Sequence, residues 1–135
     1  MDERILEFIK NEQLLSWAMR DEKGVYTASA FYAFDEKNLA FIIASHKETK
    51  HIRLASENSS IAINIAKENK IAFLKGIQAK AEFKIATKEQ EQIYFSKFAF
   101  ASLDKSAKIY ALELFWLKFT NNALALSKKL EFHKK

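Results

Sequence analysis

The nine residues Ser45-His46-Lys47-Glu48-Thr49-Lys50-His51-Ile52-Arg53 hold the densest set of groups able to bind an anion. Ser45 and Thr49 offer hydroxyls, while His46, Lys47, Lys50, His51 and Arg53 are, or can become, cationic. The apolar run 39–44 before them reads as a buried strand, and Ile52-Arg53-Leu54-Ala55 after them as the opening of a helix. A helix N-terminus presents unpaired N–H groups and a partial positive charge. Hydroxyl and ammonium donors added at that point make a phosphate seat. The same residues also fit a plainer role: Ser45 and Glu48 have capping-box spacing, and lysines near a helix start often only face water.

A second informative stretch is Tyr26-Thr27-Ala28-Ser29-Ala30-Phe31-Tyr32. As a strand it places Tyr26, Ala28, Ala30 and Tyr32 on one face and Thr27, Ser29 and Phe31 on the other. Small residues there let a flat ligand approach the backbone, with an aromatic ring at its edge; an ordinary barrel strand has the same look. Other chemistries find little support. Two glycines, Gly24 and Gly76, exclude G-x-G-x-x-G and the Walker loop, so any phosphate is held by side chains and a helix end. No cysteine is present, and no serine sits in a G-x-S-x-G elbow. His46, His51 and His133 are too scattered for a metal site, since a spacing of five puts the first two on different helix faces. Glu82 and Glu113 sit among lysines or exposed neighbours and do not form a catalytic pair. Redox chemistry, if present, belongs to a bound cofactor.

These residues need a frame, and the pattern of the chain predicts one. Asp2 caps a helix with a stripe of Ile5, Leu6, Phe8 and Ile9. Strands follow over 14–20, 25–34 and 39–44, joined by the turns 21–24 (Gly24 free to take positive φ) and 35–38. After the helix that ends near 57–59, Ile61, Ile63 and Ile65 alternate with Ala62, Asn64 and Ala66 over 60–66. A long strand over 71–86 is expected to bend at Gly76. Thr87-x-x-Gln90 opens a third helix carrying Ile93, Tyr94, Phe98 and Phe100. Residues 109–119 form a strong strand, Asn121-Asn122 a turn, and 123–132 a last strand. About seven strands and three helices with short turns favour an antiparallel barrel with peripheral helices over a doubly wound sheet.

The 135 residues read as one domain, 1–135, with 49% hydrophobic residues and 12 phenylalanines, enough for a packed core. No apolar run is long enough to span a membrane, and the mixed-charge start does not read as a signal peptide, so a cytoplasmic location is expected. The net charge of +5 permits nucleic-acid binding. Yet the lysines are dispersed and the aromatics alternate with apolar neighbours, which argues against a nucleic-acid partner. The segments 39–44 and 109–119 carry large residues on both faces, and a chain this short has few helices to cover them. That surplus predicts a homodimer.

Several spaced motifs resemble one family: Ala30-Phe31-Tyr32-x-Phe34-Asp35, Thr49-Lys50-His51, Lys75-Gly76-x-Gln78, Lys118-Phe119-Thr120-x-Asn122 and Lys128-Lys129. With the strand–hairpin–strand arrangement before Ser45-x-x-x-Thr49, they resemble the pyridoxamine 5'-phosphate oxidase-like FMN-binding split β-barrel superfamily. Within it, the chain is similar to the small bacterial YhbP-like group. The resemblance runs from about residue 14 to 132. It implies a mainly β, antiparallel split barrel of about six to seven strands with peripheral helices, and a homodimer with FMN seated between subunits. On that pattern Ser45, Thr49, Lys50 and His51 hold the FMN phosphate, and Thr27, Ser29, Ala30 and Phe31 lie against the isoalloxazine. Trp116, Asn122 and Lys128 close the site from the second subunit. The implied activity is a flavin-dependent oxidoreductase of unknown substrate. FAD or haem is the less favoured cofactor, the alternative being a non-catalytic or haem-handling barrel with His133 or His46 as candidate ligand.

Overall fold

In the computed structural model, which describes residues 1–68, 70–122 and 129–134, alternation of apolar and polar residues builds a single antiparallel sheet. Helix α1 spans Glu3–Asn11; the Asp2 carboxylate accepts from the Arg4 N–H at 2.8 Å and caps it. Strands β1 (Leu14–Asp21), β2 (Gly24–Asp35) and β3 (Ala40–His46) form a meander. Helix α2 (Lys50–Glu57) leads to β4 (Ser60–Lys67), and a single 3-10 turn, Ile71–Phe73, leads to β5 (Lys75–Ile85). Helix α3 (Lys88–Lys97) and a second 3-10 turn (Ala99–Leu103) precede β6 (Ala107–Asn121) and β7 (Lys129–His133). The seven strands run in the order β3-β2-β1-β4-β5-β6-β7, and a further β3–β6 ladder closes the barrel.

Period-two alternation decides what lies inside. Leu15, Trp17 and Met19 of β1, Ile61, Ile63 and Ile65 of β4, and Ile77, Ala79 and Ala81 of β5 fill the interior. Two helices plug its opposite ends. Ile5, Phe8 and Ile9 of α1 enter at one end, where Phe8 meets Phe119, and Ile52, Leu54 and Ala55 of α2 enter at the other. The third helix packs on the outside, burying Tyr94 against Ala33, Ala40, Ile42, Ile109 and Ala111. This second, smaller core explains why residues 39–44 and the first half of β6 are apolar on both faces. The buried Asp35 fixes the helix: its carboxylate accepts from Gln90 Nε2 at 3.0 Å and Asn38 Nδ2 at 2.8 Å. The Thr87–Gln90 capping box is present as expected.

Four local expectations are corrected. Gly24 does not take positive φ; among the described residues the one that does is Leu39, at 53°. Ser45 and Glu48 form no capping box, because Ser45 and His46 stay in β3, paired with Lys108 and Ala107, and Thr49 becomes the N-cap. The cross-strand ladder thus outcompetes the local cap. Residues 71–86 are not one strand, and the sheet irregularity lies not at Gly76 but between Lys80 and Ala81, where Phe115 of β6 is the extra residue. Phe98 is the C-cap of α3, and Phe100 lies beyond it in the 3-10 turn. Among the described residues no helix is long and apolar enough to cross a membrane.

Candidate anion seat at the β3–α2 junction

The end of β3 and the start of α2 bring three of the expected side chains to one point. Ser45 Oγ lies 2.8 Å from His51 Nε2 and 3.4 Å from Thr49 Oγ1, and Thr49 Oγ1 lies 3.2 Å from the same imidazole nitrogen. The register explains this. Ser45 is near the last rung of β3, Thr49 is the N-cap of α2 and His51 lies in its first turn, so the turn folds the helix start back over the strand end. Thr49 makes no side-chain cap bond to the helix; its hydroxyl donates instead to the His46 carbonyl at 2.9 Å. The first-turn N–H groups of α2 therefore face outward without a capping oxygen.

Beneath the seat lies Trp17, whose ring centroid is 5.7 Å from that of His51 in an edge-on contact. Its buried indole N–H has no hydrogen-bond partner among the described residues, an unspent donor next to the imidazole. Burial holds the His51 pKa below its ordinary value of 6.5, so the ring is neutral at neutral pH. Fixed positive charge must come from the flanks. Lys50 Nζ pairs with Asp21 at 3.0 Å and lies 4.6 Å from the centroid of the Tyr26 ring. Arg53 pairs with Glu57 at 3.6 Å. Hydrogen bonds from Lys50 and the Glu22 N–H hold the Asp21 carboxyl below its usual range. Both ion pairs are exposed, and such pairs are weak enough to be exchanged for a better anion. The donors present, two hydroxyls, an imidazole, a helix start and two nearby cations, fit a phosphate monoester.

Lys50 also ties this junction to the β1–β2 hairpin and so to the second expected group. Thr27, Ser29 and Phe31 project from the outer face of β2 as an exposed row, with Phe31 ring-to-ring 6.3 Å from Phe98. Ala30 faces the other way, packed against the core, so only its backbone is open to that row. The remaining expected residues are not brought to this place within one chain. Trp116 is outward on β6, beneath Lys80 Nζ at 5.7 Å. The register Thr27–Ala18–Ala62–Lys80–Trp116 sets it four strands from Thr27, on the order of 19 Å along the sheet. Asn122 spends its amide on Ile71 O at 2.8 Å and its N–H on Leu74 O at 3.0 Å, tying the end of β6 to the first 3-10 turn. Lys128 lies outside the described residues.

The sequence reading missed Trp17, Asp21 and Tyr26 as parts of this environment. Alternation marked Trp17 only as core, and nothing local shows that Asp21 meets a residue 29 positions on. The other histidines are engaged elsewhere. His46 Nδ1 lies 2.9 Å from Ser106 Oγ and its Nε2 3.4 Å from Asp104, while His133 lies 3.7 Å from Glu131. The first arrangement has the members of a Ser-His-Asp set. However, it is half-exposed, and Ser106 donates directly to Asp104 at 2.6 Å, which uses the proton a nucleophile would pass to its base. No cluster of three or more His, Cys, Asp or Glu able to hold a metal occurs among the described residues.

The closed seven-stranded sheet with helices at its ends and side defines an antiparallel split β-barrel. Three solved structures share it at low identity, a likeness of fold. An FAD-binding protein from Mesorhizobium loti has TM-score 0.72 at 10% identity, covering 85% of this chain and 88% of that one. A heme binding protein from Mycobacterium smegmatis has TM-score 0.73 at 10% identity, covering 90% and 52%. A Clostridium acetobutylicum protein of the pyridoxinephosphate oxidase family, related to general stress protein 26, has TM-score 0.72 at 13% identity, covering 98% and 96%. No family model matches the chain. By sequence it belongs to the UPF0306 family. A UPF0306 protein of Campylobacter jejuni is 89% identical over 135 residues, all of both chains. One from Yersinia pestis is 32% identical over 133 residues, covering 95% of this chain and 90% of its own.

Proposed function

We propose that this chain is an FMN-binding protein of the YhbP-like group, a flavin-dependent oxidoreductase whose site is completed by a second copy of itself. The observation that carries the reading is the convergence of Ser45, Thr49 and His51 within 3.4 Å at an uncapped helix start. Ser45 and Thr49 would donate to phosphate oxygens, His51 would donate through Nε2, and Lys50 would leave Asp21 to supply the charge. The outer row Thr27, Ser29 and Phe31, with the Ala30 backbone, would support the flat ring. FMN, when bound, supplies hydride and electron transfer. The chain's own part is to bind, orient and screen it from water.

The homodimer enters because Trp116, Asn122 and Lys128 belong to the site only if a second chain brings them. The outer face of β1, β4 and β5 also supports an interface. Ser16, Ala18, Ala62, Asn64, Ala66, Gly76 and Gln78 supply small and polar residues there, with Lys80 beside Ala62. Leu14, Val25, Phe31 and Phe115 stand exposed on the same outward side.

Fluorescence titration of the chain, stripped of any bound flavin, with FMN and with riboflavin tests the seat. FMN is expected to bind at least about a hundredfold more tightly than riboflavin, about 2.7 kcal/mol for the phosphate. Thr49→Ala with Lys50→Ala should erase that difference. Equal affinities for the two flavins would refute a phosphate seat at this junction.

A further inference from the structure

At the end of the barrel opposite the anion seat, the inward stripes change character. The interior rows Ile61-Ile63-Ile65, Ala79-Ile77 and Leu117-Phe119 end, one step further, in Lys67, Lys75 and Asn121. These three form one rung: Lys67 pairs with Lys75, and Lys75 with Asn121. Two lysines directly opposite one another on the same face repel. Neither ammonium has an ion-pair or hydrogen-bond partner among the described residues. Facing them across a cleft of about 220 Å³ is α1, which contributes Glu7 and, just past its end, Glu12. Its remaining cation, Arg4, is already spent on Asp2 at 3.0 Å. The floor is aromatic, Phe8 against Phe119 at 5.4 Å.

From this we infer that the cleft under α1 is a binding site for a small zwitterion, with its anionic group at Lys67 and Lys75 and its ammonium at Glu7 and Glu12. Charge balance selects that class. A simple anion is attracted by the lysines and repelled by the glutamates, and a simple cation meets the reverse, so neither gains much. A molecule with separated charges gains from both walls, and its hydrocarbon span lies on Phe8 and Phe119. The walls do not close on each other: no Lys–Glu pair bridges the cleft among the described residues. Mouths of β-barrels are recurrent ligand sites because the wall is rigid and the end is open. The site is independent of flavin binding at the other end.

Calorimetric titration of the full chain at low salt tests this with ω-amino acids carrying three to six methylenes. Each is compared with the alkanoate and the alkylamine of equal length. At least one amino acid should bind about tenfold more tightly than both single-charge analogues. Lys75→Gln and Glu7→Gln should each lower its affinity about tenfold, with circular dichroism unchanged. Binding of the alkanoate as tight as that of the amino acid would overturn the assignment. So would absence of binding across the series, or affinity unchanged in both variants.

Discussion

The residue on which the anion seat turns is His51, because burial and a bound phosphate pull its proton in opposite directions. Burial disfavours the imidazolium and holds the pKa below 6.5, whereas a phosphate within hydrogen-bond reach of Nε2 favours it. The sign for the free protein follows from linkage. Above pH 6.5 the ring is neutral in both folded and unfolded chains. As pH falls through that value the unfolded chain takes up a proton that the folded chain refuses, so stability falls until the native pKa is passed. Thermal unfolding of wild type and His51→Gln between about pH 7.5 and about pH 5.5 measures this. The wild type should lose more stability on acidification than the variant. Parallel profiles would mean that the imidazole is not desolvated by Trp17 and its neighbours.

At the scale of elements, Gly76 shows how a barrel strand can require a glycine without a left-handed backbone. A Cβ built there would stand 3.1 Å from the Ile65 carbonyl oxygen on the paired strand, and that oxygen belongs to rigid backbone. Gly76→Ala should therefore cost about 1–3 kcal/mol of overpacking strain, read as a lower urea midpoint at unchanged slope. An unchanged midpoint would show that β4 shifts freely. The same strand shows what the sequence made legible. Alternation over 60–66 was enough to place Ile61, Ile63 and Ile65 in the core, since a period of two has one physical meaning on a half-buried sheet. The helix starts were legible where a cap acts alone, as at Asp2 and Thr87. The start of α2 was not, because the β3–β6 ladder claims Ser45 and His46, and that ladder joins segments about 60 residues apart. Phe115 as the extra residue in β6 was hidden for the same reason. The anion seat was half legible: Ser45, Thr49 and His51 were visible as a cluster, whereas the Lys50–Asp21 pair and the Trp17 floor depend on tertiary packing.

For the whole molecule the open question of assembly reduces to which sheet face lacks a cover. Two helices plug the barrel ends and the third covers the outside of β3, the end of β2 and the first half of β6, while the outward side of β1 and β4 carries small residues in register. Ala18 and Ala62 are partners at the middle of that side, with Thr27 and Lys80 as their next neighbours, and the short side chains at the centre suit close approach of an identical patch about a two-fold axis. Under the proposed dimer, Ala62→Arg places a long cation at the contact without touching the interior, because residue 62 points outward. Its expected effect is a monomer by sedimentation at a concentration where the wild type sediments at twice 15.6 kDa, with an unchanged circular dichroism spectrum. The decisive part is the coupling to cofactor. If the second chain completes the flavin site, the monomeric variant should also lose FMN affinity about tenfold or more, although every residue of the Ser45–His51 seat is intact. A monomeric variant that retains full FMN affinity would confine the site to one chain. A variant that remains dimeric would move the interface to another face of the barrel.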